Sequence, residues 1–229
     1  MLRQFDIPVG LLNASYLAEV IAVDDPANLA RVQLRLLSFD GIGAQDGPVW
    51  ARVAVPFAGD NRGAFMLPDV GDEVLVTFVG GDPRLPIVVG GLWNGSAAPP
   101  ETLGGAGDRI DRWTIVGKEG TRIAIVEERQ GDATISLTTP NGASLVLTDS
   151  GGGKIELKVA GNTFTMDSSG ISLQTPSKIK AQASQLEATA GMVKVDAGMS
   201  TFSGVVKCDT MIATTVIATT YTPGAGNIW

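Results

Sequence analysis

The chain has 229 residues, 44% of them hydrophobic, with 17 basic against 24 acidic side chains and a formal net charge of −7. An acidic chain argues against a reader of nucleic-acid phosphates. The complete absence of histidine removes imidazole bases, Ser–His nucleophiles and His metal ligands together.

The opening residues, MLRQFDIPVG, carry no basic-then-apolar leader, and nowhere does the sequence reach the roughly 18 continuous apolar residues of a membrane span, so a soluble product is expected. Residues 1–15 are too few for a domain. They hold Phe5, Ile7, Leu11 and Leu12, which are expected either to reach a partner or to pack within the chain. Five β runs follow, at 16–23, 30–37, 49–57, 72–81 and 85–95, separated by turn signals such as DDPAN, AGDNRG, LPDVG and GGDPR. Strands of this length with glycine at the corners predict a small Greek-key barrel of the OB type over residues 16–95. In ARVQLRLL the alternation sets Val32, Leu34 and Leu36 on one face and Arg31, Gln33 and Arg35 on the other. Arg31 and Arg35 read either as a functional basic face or as an ordinary solvated one.

Residues 96–112 form a linker rich in Pro, Gly and Ala, and the texture then changes. Apolar pairs two residues apart recur: Ile123/Ile125, Ile135/Leu137, Leu145/Leu147, Ile155/Leu157, Phe164/Met166 and Ile171/Leu173. They continue as Ile179/Ala181, Leu186/Ala188, Val193/Val195 and Val206/Cys208, with Gly, Asn, Asp and Ser between them. A short fixed period signals a quasi-one-dimensional architecture in which one rung supports the next. KIKAQASQLEATAGMVKV has a helical composition, but the alternation on either side predicts strand there too. The whole chain therefore reads as all-β. Cys208 excludes an internal disulfide and is expected as a buried packing residue.

Two small inward residues per rung cannot enclose a core in one chain, whereas three chains around a common axis can, and their closure removes free strand edges. Residues 113–229 are thus expected to form an intertwined trimeric β-helix, or β-prism, that narrows towards its end. The last rung of such a shaft has no following strand to cover it. The terminal YTPGAGNIW supplies bulk in Tyr221, Ile228 and Trp229, with Pro223, Gly224 and Gly226 to turn the chain across the axis. These residues are expected as a self-made tip plug or as the seat of a separate cap.

The stretch WARVAVPFAGDNRGAFMLPDVGDEVLVTFVGGDPRLPIVVGGLWNG (50–95) resembles the OB module of phage baseplate assembly protein V and the central spikes of contractile tails. The same module occurs in the valine-glycine-repeat spike proteins of type VI secretion. The carriers of the match are Pro56, Ala58 and Gly59, then LPDVGDEVLV, GGDPRLPIVVG and the closing GLWNG. The repeats and the TPGAGNIW end are similar to the β-helical needle of those proteins. The resemblance implies a non-enzymatic homotrimer on the baseplate of a virion tail or injection particle, driven through the target cell envelope when the sheath contracts. It implies no nucleic-acid partner and leaves open a PAAR-type tip cap. Only a linker stands where some relatives carry a lysozyme domain. No histidine is present for an iron-binding tip, so neither metal nor cofactor is expected. The first strand begins about fifteen residues in, so the hub is expected as a separate chain, contacted by Phe5, Ile7, Leu11 and Leu12 and by Arg62 and Phe65 of AGDNRGAF.

Two rivals remain. A β-helical polysaccharide-active enzyme would need carboxylates set in a groove, and Glu127, Glu128 and Asp132 lie close together in sequence. An OB barrel can also bind single-stranded nucleic acid, but residues 1–95 hold 11 acidic against 6 basic side chains and few aromatics for stacking.

Overall fold

The computed structural model describes residues 13–39 and 47–220. The chain divides into two units, residues 1–178 and 179–229.

The first unit begins with strands whose inward residues are branched and apolar, which suits a pleated surface buried on one side. They are β1 (Tyr16–Ala22), β2 (Val32–Leu36), β3 (Val49–Val53), β4 (Ala58–Gly59), β5 (Arg62–Gly63), β6 (Glu73–Phe78) and β7 (Pro86–Leu92). Five of them close a barrel in the order β1-β2-β3-β7-β6, with β6 returning to β1 through pairs such as Tyr16↔Val76. Neighbours run antiparallel except β3 and β7, which are parallel. The expected alternation holds residue by residue. Ala18, Val20, Val32, Leu34, Val74 and Val76 are fully buried, and Ala51, Phe78 and Val88 complete the core. Tyr16 stands edge-on to Phe78 with ring centroids 5.7 Å apart. The short hairpin β4–β5 projects from this barrel as a separate two-stranded ribbon.

Seven further strands follow: β8 (Arg112–Val116), β9 (Arg122–Glu127), β10 (Ala133–Thr138), β11 (Ser144–Thr148), β12 (Lys154–Val159), β13 (Asn162–Asp167) and β14 (Gly170–Gln174). Each pairs antiparallel with the next, so the sheet is a meander in chain order. Tight connections make this possible. Between β12 and β13 only Ala160 and Gly161 intervene, both with positive φ (47° and 82°), the twist a two-residue hairpin needs to match its strands.

In the second unit, residues 179–220 contain neither helix nor strand, and every one of them is exposed. The strands expected at 179–181, 186–188 and 193–195 are therefore not formed within the chain. A strand is a hydrogen-bonded pair, and alternation alone supplies no partner. Cys208, expected to be buried, is exposed for the same reason.

Candidate assembly surfaces

Alternation puts every second side chain of the meander on one face, and the register lines up the apolar ones. One column runs Trp113, Ile125, Ile135, Leu147, Ile155, Met166, Ile171. A second runs Ile115, Ile123, Leu137, Leu145, Leu157, Phe164, Leu173. The six apolar pairs of the sequence up to Leu173 thus share one face, joined by Trp113 and Ile115. At ~4.8 Å per strand the columns extend about 29 Å across the sheet. The face is open to solvent, with Trp113 and Ile115 each 55% exposed and Ile171 67% exposed. Residues of the second unit are barer still, Ile212 at 97% and Val205 at 96%. Contiguous apolar surface on this scale marks an interaction site.

The opposite face is polar, and the chain leading into β8 folds over its first three strands. Glu101 accepts a hydrogen bond from Arg122 Nε and lies 3.8 Å from Arg112 Nη1. Arg112 donates to Asp111 at 2.9 Å and to Glu128 at 2.5 Å, and Arg109 donates to the Glu128 carbonyl at 2.6 Å. Ala124 and Ser136 are sealed beneath this strap, with Arg122 Nη1 donating to Ser136 Oγ at 3.1 Å. The Arg122 guanidinium holds the Glu101 carboxyl below its ordinary range despite partial burial. Arg112 does the same for Asp111. Lys118, in the turn after β8, pairs with Asp69 of the loop before β6, which ties sheet to barrel.

These pairings account for the other charges singled out in the sequence. Glu128 is held by Arg112, and Asp132 lies 3.6 Å from Arg129. Glu127 closes the β9–β10 ladder opposite Ala133, and its carbonyl accepts from Arg109. The three carboxylates line neither the groove beside the β4–β5 hairpin nor the one between the ends of β11, β12 and β13. Among the described residues no cluster of His, Cys, Asp or Glu is arranged to hold a metal. On the barrel, Arg35 pairs with Glu19. Arg31 Nη2 donates to Asp25 Oδ1 at 2.7 Å and stacks 5.6 Å above the Trp50 ring. Asp25 also accepts from the backbone of Ala27, Leu29 and Arg31, so one buried carboxylate staples the whole β1–β2 loop. The Arg31 hydrogen bonds hold its pKa far below the ordinary 3.8, against the opposing effect of burial.

A groove of about 820 Å³ lies between the β4–β5 hairpin and the barrel wall. Val53 and Ile87 form its floor, Leu29 of the stapled loop its rim, and Arg52, Arg62 and Phe65 its mouth. Phe65 is 82% exposed. Two of the sequence-predicted hub contacts, Arg62 and Phe65, are thereby brought together. The others, Phe5, Ile7, Leu11 and Leu12, lie outside the described residues, as do the tip residues Tyr221, Pro223, Gly224, Gly226, Ile228 and Trp229. Sequence reasoning missed Arg52 as a member of this site. Its signal was an outward charged residue between Ala51 and Val53 in a strand read only for its core positions.

Known proteins place the barrel. Residues 16–93 match the type VI secretion system/phage-baseplate injector OB domain. The type VI secretion system spike protein VgrG4b of Pseudomonas aeruginosa is 33% identical over 98 residues, 42% of this chain and 12% of that protein. VgrG1a of the same organism is 37% identical over 59 residues, 26% of this chain and 9% of its own length. The actin cross-linking toxin VgrG1 of Vibrio cholerae is 38% identical over 61 residues, 27% of this chain and 6% of the toxin. The matched stretches thus span no more than about an eighth of these relatives. With a closed five-stranded barrel on the same residues, the segment 16–93 belongs to the phage-baseplate and type VI secretion injector OB-domain family.

Proposed function

We propose that the chain is one of three identical subunits of the central spike of a contractile phage tail baseplate, a mechanical part and not an enzyme. The observation that carries this is the pair of seven-residue apolar columns, in register on one face and half-exposed in a single chain. Three such faces turned to a common axis bury one another and leave the polar faces outward. Continued by residues 179–229, the arrangement gives an intertwined β-helix with its tip at 221–229. A shaft of interlocked strands has no free edge and resists unfolding because three chains must separate at once. Those are the demands on a part driven through a cell envelope by sheath contraction. The OB barrel passes force from a separate hub chain to the shaft, and Phe5, Ile7, Leu11, Leu12, Arg62 and Phe65 form the hub-facing surface. No cofactor or metal is needed.

A second reading, the spike of a phage-derived or secretion-type injection particle, is favoured by the names of the relatives, which are type VI spike proteins. Both readings share the same physical prediction. Light scattering on the full chain is expected to give about 71 kDa, three times 23.7 kDa, in a form resistant to SDS at room temperature. A version stopped before Tyr221 that frays while remaining folded would assign the tip as a self-made plug, and an unaffected trimer would assign it to a PAAR-type cap. A compact monomer would remove the spike reading altogether.

A further inference from the structure

The barrel segment is acidic and has no lysine, so each of its arginines can be followed individually. Five lie among the described residues up to 95. Arg31 pairs with Asp25, Arg35 with Glu19 and Arg84 with Asp82. Arg52 and Arg62 make no ion pair with any described residue, and both line the groove beneath the β4–β5 hairpin. Among the described residues of this acidic segment, the two cations without an ion pair therefore share one cavity. Its remaining walls are largely apolar, with Val53, Ile87 and Phe65 prominent among them. The volume is within the range of pockets that hold several side chains of a ligand. The groove is also pre-formed. Arg31 and the Asp25 staple fix its Leu29 rim, and the Arg62 side chain folds back over Gly59, where a Cβ would meet its Nε at 2.8 Å.

We infer that this groove receives a segment of the separate hub chain in which a large apolar side chain is flanked by carboxylates. This rests on the spike reading and names the chemistry of its hub contact. The apolar side chain enters between the hairpin and the β3–β7 wall, and the two arginines at the mouth take the flanking acids. Arginine suits the role because its fork engages a carboxylate through two parallel hydrogen bonds. The acidity of the surrounding barrel repels acidic segments elsewhere, so the same two cations also fix the register of docking.

The test uses the full chain, first confirmed as a 71 kDa particle, and two fluorescein-labelled, end-blocked peptides. One is Gly-Asp-Phe-Leu-Glu-Gly and the other its amide twin Gly-Asn-Phe-Leu-Gln-Gly, with binding read by fluorescence polarisation at low salt. The acidic peptide is expected to bind about tenfold more tightly than its twin, since each exposed ion pair contributes up to about fivefold. Arg52→Gln and Arg62→Gln should each remove roughly three- to fivefold of that preference, and Arg84→Gln, outside the groove, should not. Both changes are at exposed, unpaired positions, and circular dichroism with solution mass verifies that each variant is folded. Equal affinity of the two peptides, or no saturable binding by either, in an intact trimer overturns the groove assignment and leaves the spike reading standing. Binding that emerges only when residues 1–12 are deleted overturns it as well, because the chain's own arm is then the occupant. A monomeric full chain removes the spike and, with it, the hub as the occupant.

Discussion

The open apolar face makes its sharpest prediction at Ile135, near the centre of its column, with Ile125 and Leu147 as cross-strand neighbours. Within a single chain Ile135 is 42% exposed. Complete burial of an isoleucine side chain is worth about 1.5–3 kcal/mol, so sealing the remaining 42% adds roughly 0.6–1.3 kcal/mol per copy, or about 2–4 kcal/mol across three chains. Ile135→Asp forfeits that gain and also demands a carboxylate inside the shaft. The added penalty is several kcal/mol for each copy, in total comparable to the roughly 5–15 kcal/mol that holds an ordinary domain together. The control is Ser172→Asp, an exposed position on the opposite face, paired with Thr165, where a charge should change stability by no more than about 0.5 kcal/mol. Light scattering and electrophoresis in SDS without boiling read the outcome. The expected result is loss of the 71 kDa species for Ile135→Asp and its retention for Ser172→Asp. If Ile135→Asp remains an SDS-resistant trimer with an unchanged melting temperature, this face is not the inner surface of a prism.

The remaining predictions concern the parts that a single chain completes by itself. Leu34→Ala empties a fully buried position in the barrel core and should lower stability by about 2–5 kcal/mol in guanidinium unfolding, without changing the sheet's register. Asp25 titrates below its ordinary 3.8 in the folded chain, so the stability it contributes is fully present above that value and is lost as the pH falls through and below it. Thermal melts between about pH 5 and pH 2 should therefore fall more steeply for the natural chain than for Asp25→Asn, and parallel curves would remove the staple from the account. Glu101→Gln leaves Arg122 with a weaker partner and should cost about 1–3 kcal/mol. The readout is faster proteolysis at Arg109 and Arg112, which lie in and beside the strap that Glu101 anchors.

What could be read from the sequence was whatever repeats. The barrel strands were legible because Val, Leu and Ala recur every second residue against charged neighbours. The rungs were legible because apolar pairs recur at near-constant spacing, and Trp113/Ile115 extended the same rule by one strand. The β4–β5 hairpin was not legible. AGDNRG has no apolar period, and its two-residue strands exist only because the chain doubles back at Asp60 and Asn61. Nor was the strap. Glu101, Asp111 and Arg112 are single charges without pattern, and their pairing depends on where β8 and β9 place Arg112 and Arg122. Whether Arg31 and Arg35 form a functional basic face or an ordinary solvated one was not legible, because alternation reveals orientation and not partners. Glu19, directly across from Arg35 on β1, and Asp25, in the β1–β2 loop, neutralise them.

Burial changes in one direction along the chain, and this predicts the order in which the molecule assembles. The barrel buries nine apolar side chains to 6% exposure or less and needs no second copy. The sheet from Arg112 to Gln174 satisfies its backbone within one chain except along the outer edges of β8 and β14, and leaves one apolar face half-open. Residues 179–220 satisfy neither, having no strand partner and no buried residue. Folding should therefore proceed from barrel to sheet to tail, with association entering at the sheet and the tail ordering only inside the assembled trimer. Hydrogen exchange after dilution from denaturant tests this directly. Amides of β1, β2 and β6 should become protected at a rate independent of protein concentration. Those beyond Gln174 should become protected later and at a rate that rises with concentration, because they must wait for other chains. Concentration-independent protection of residues 179–220 would mean that the tail finds its partners within one chain, and the threefold shaft would have no physical basis.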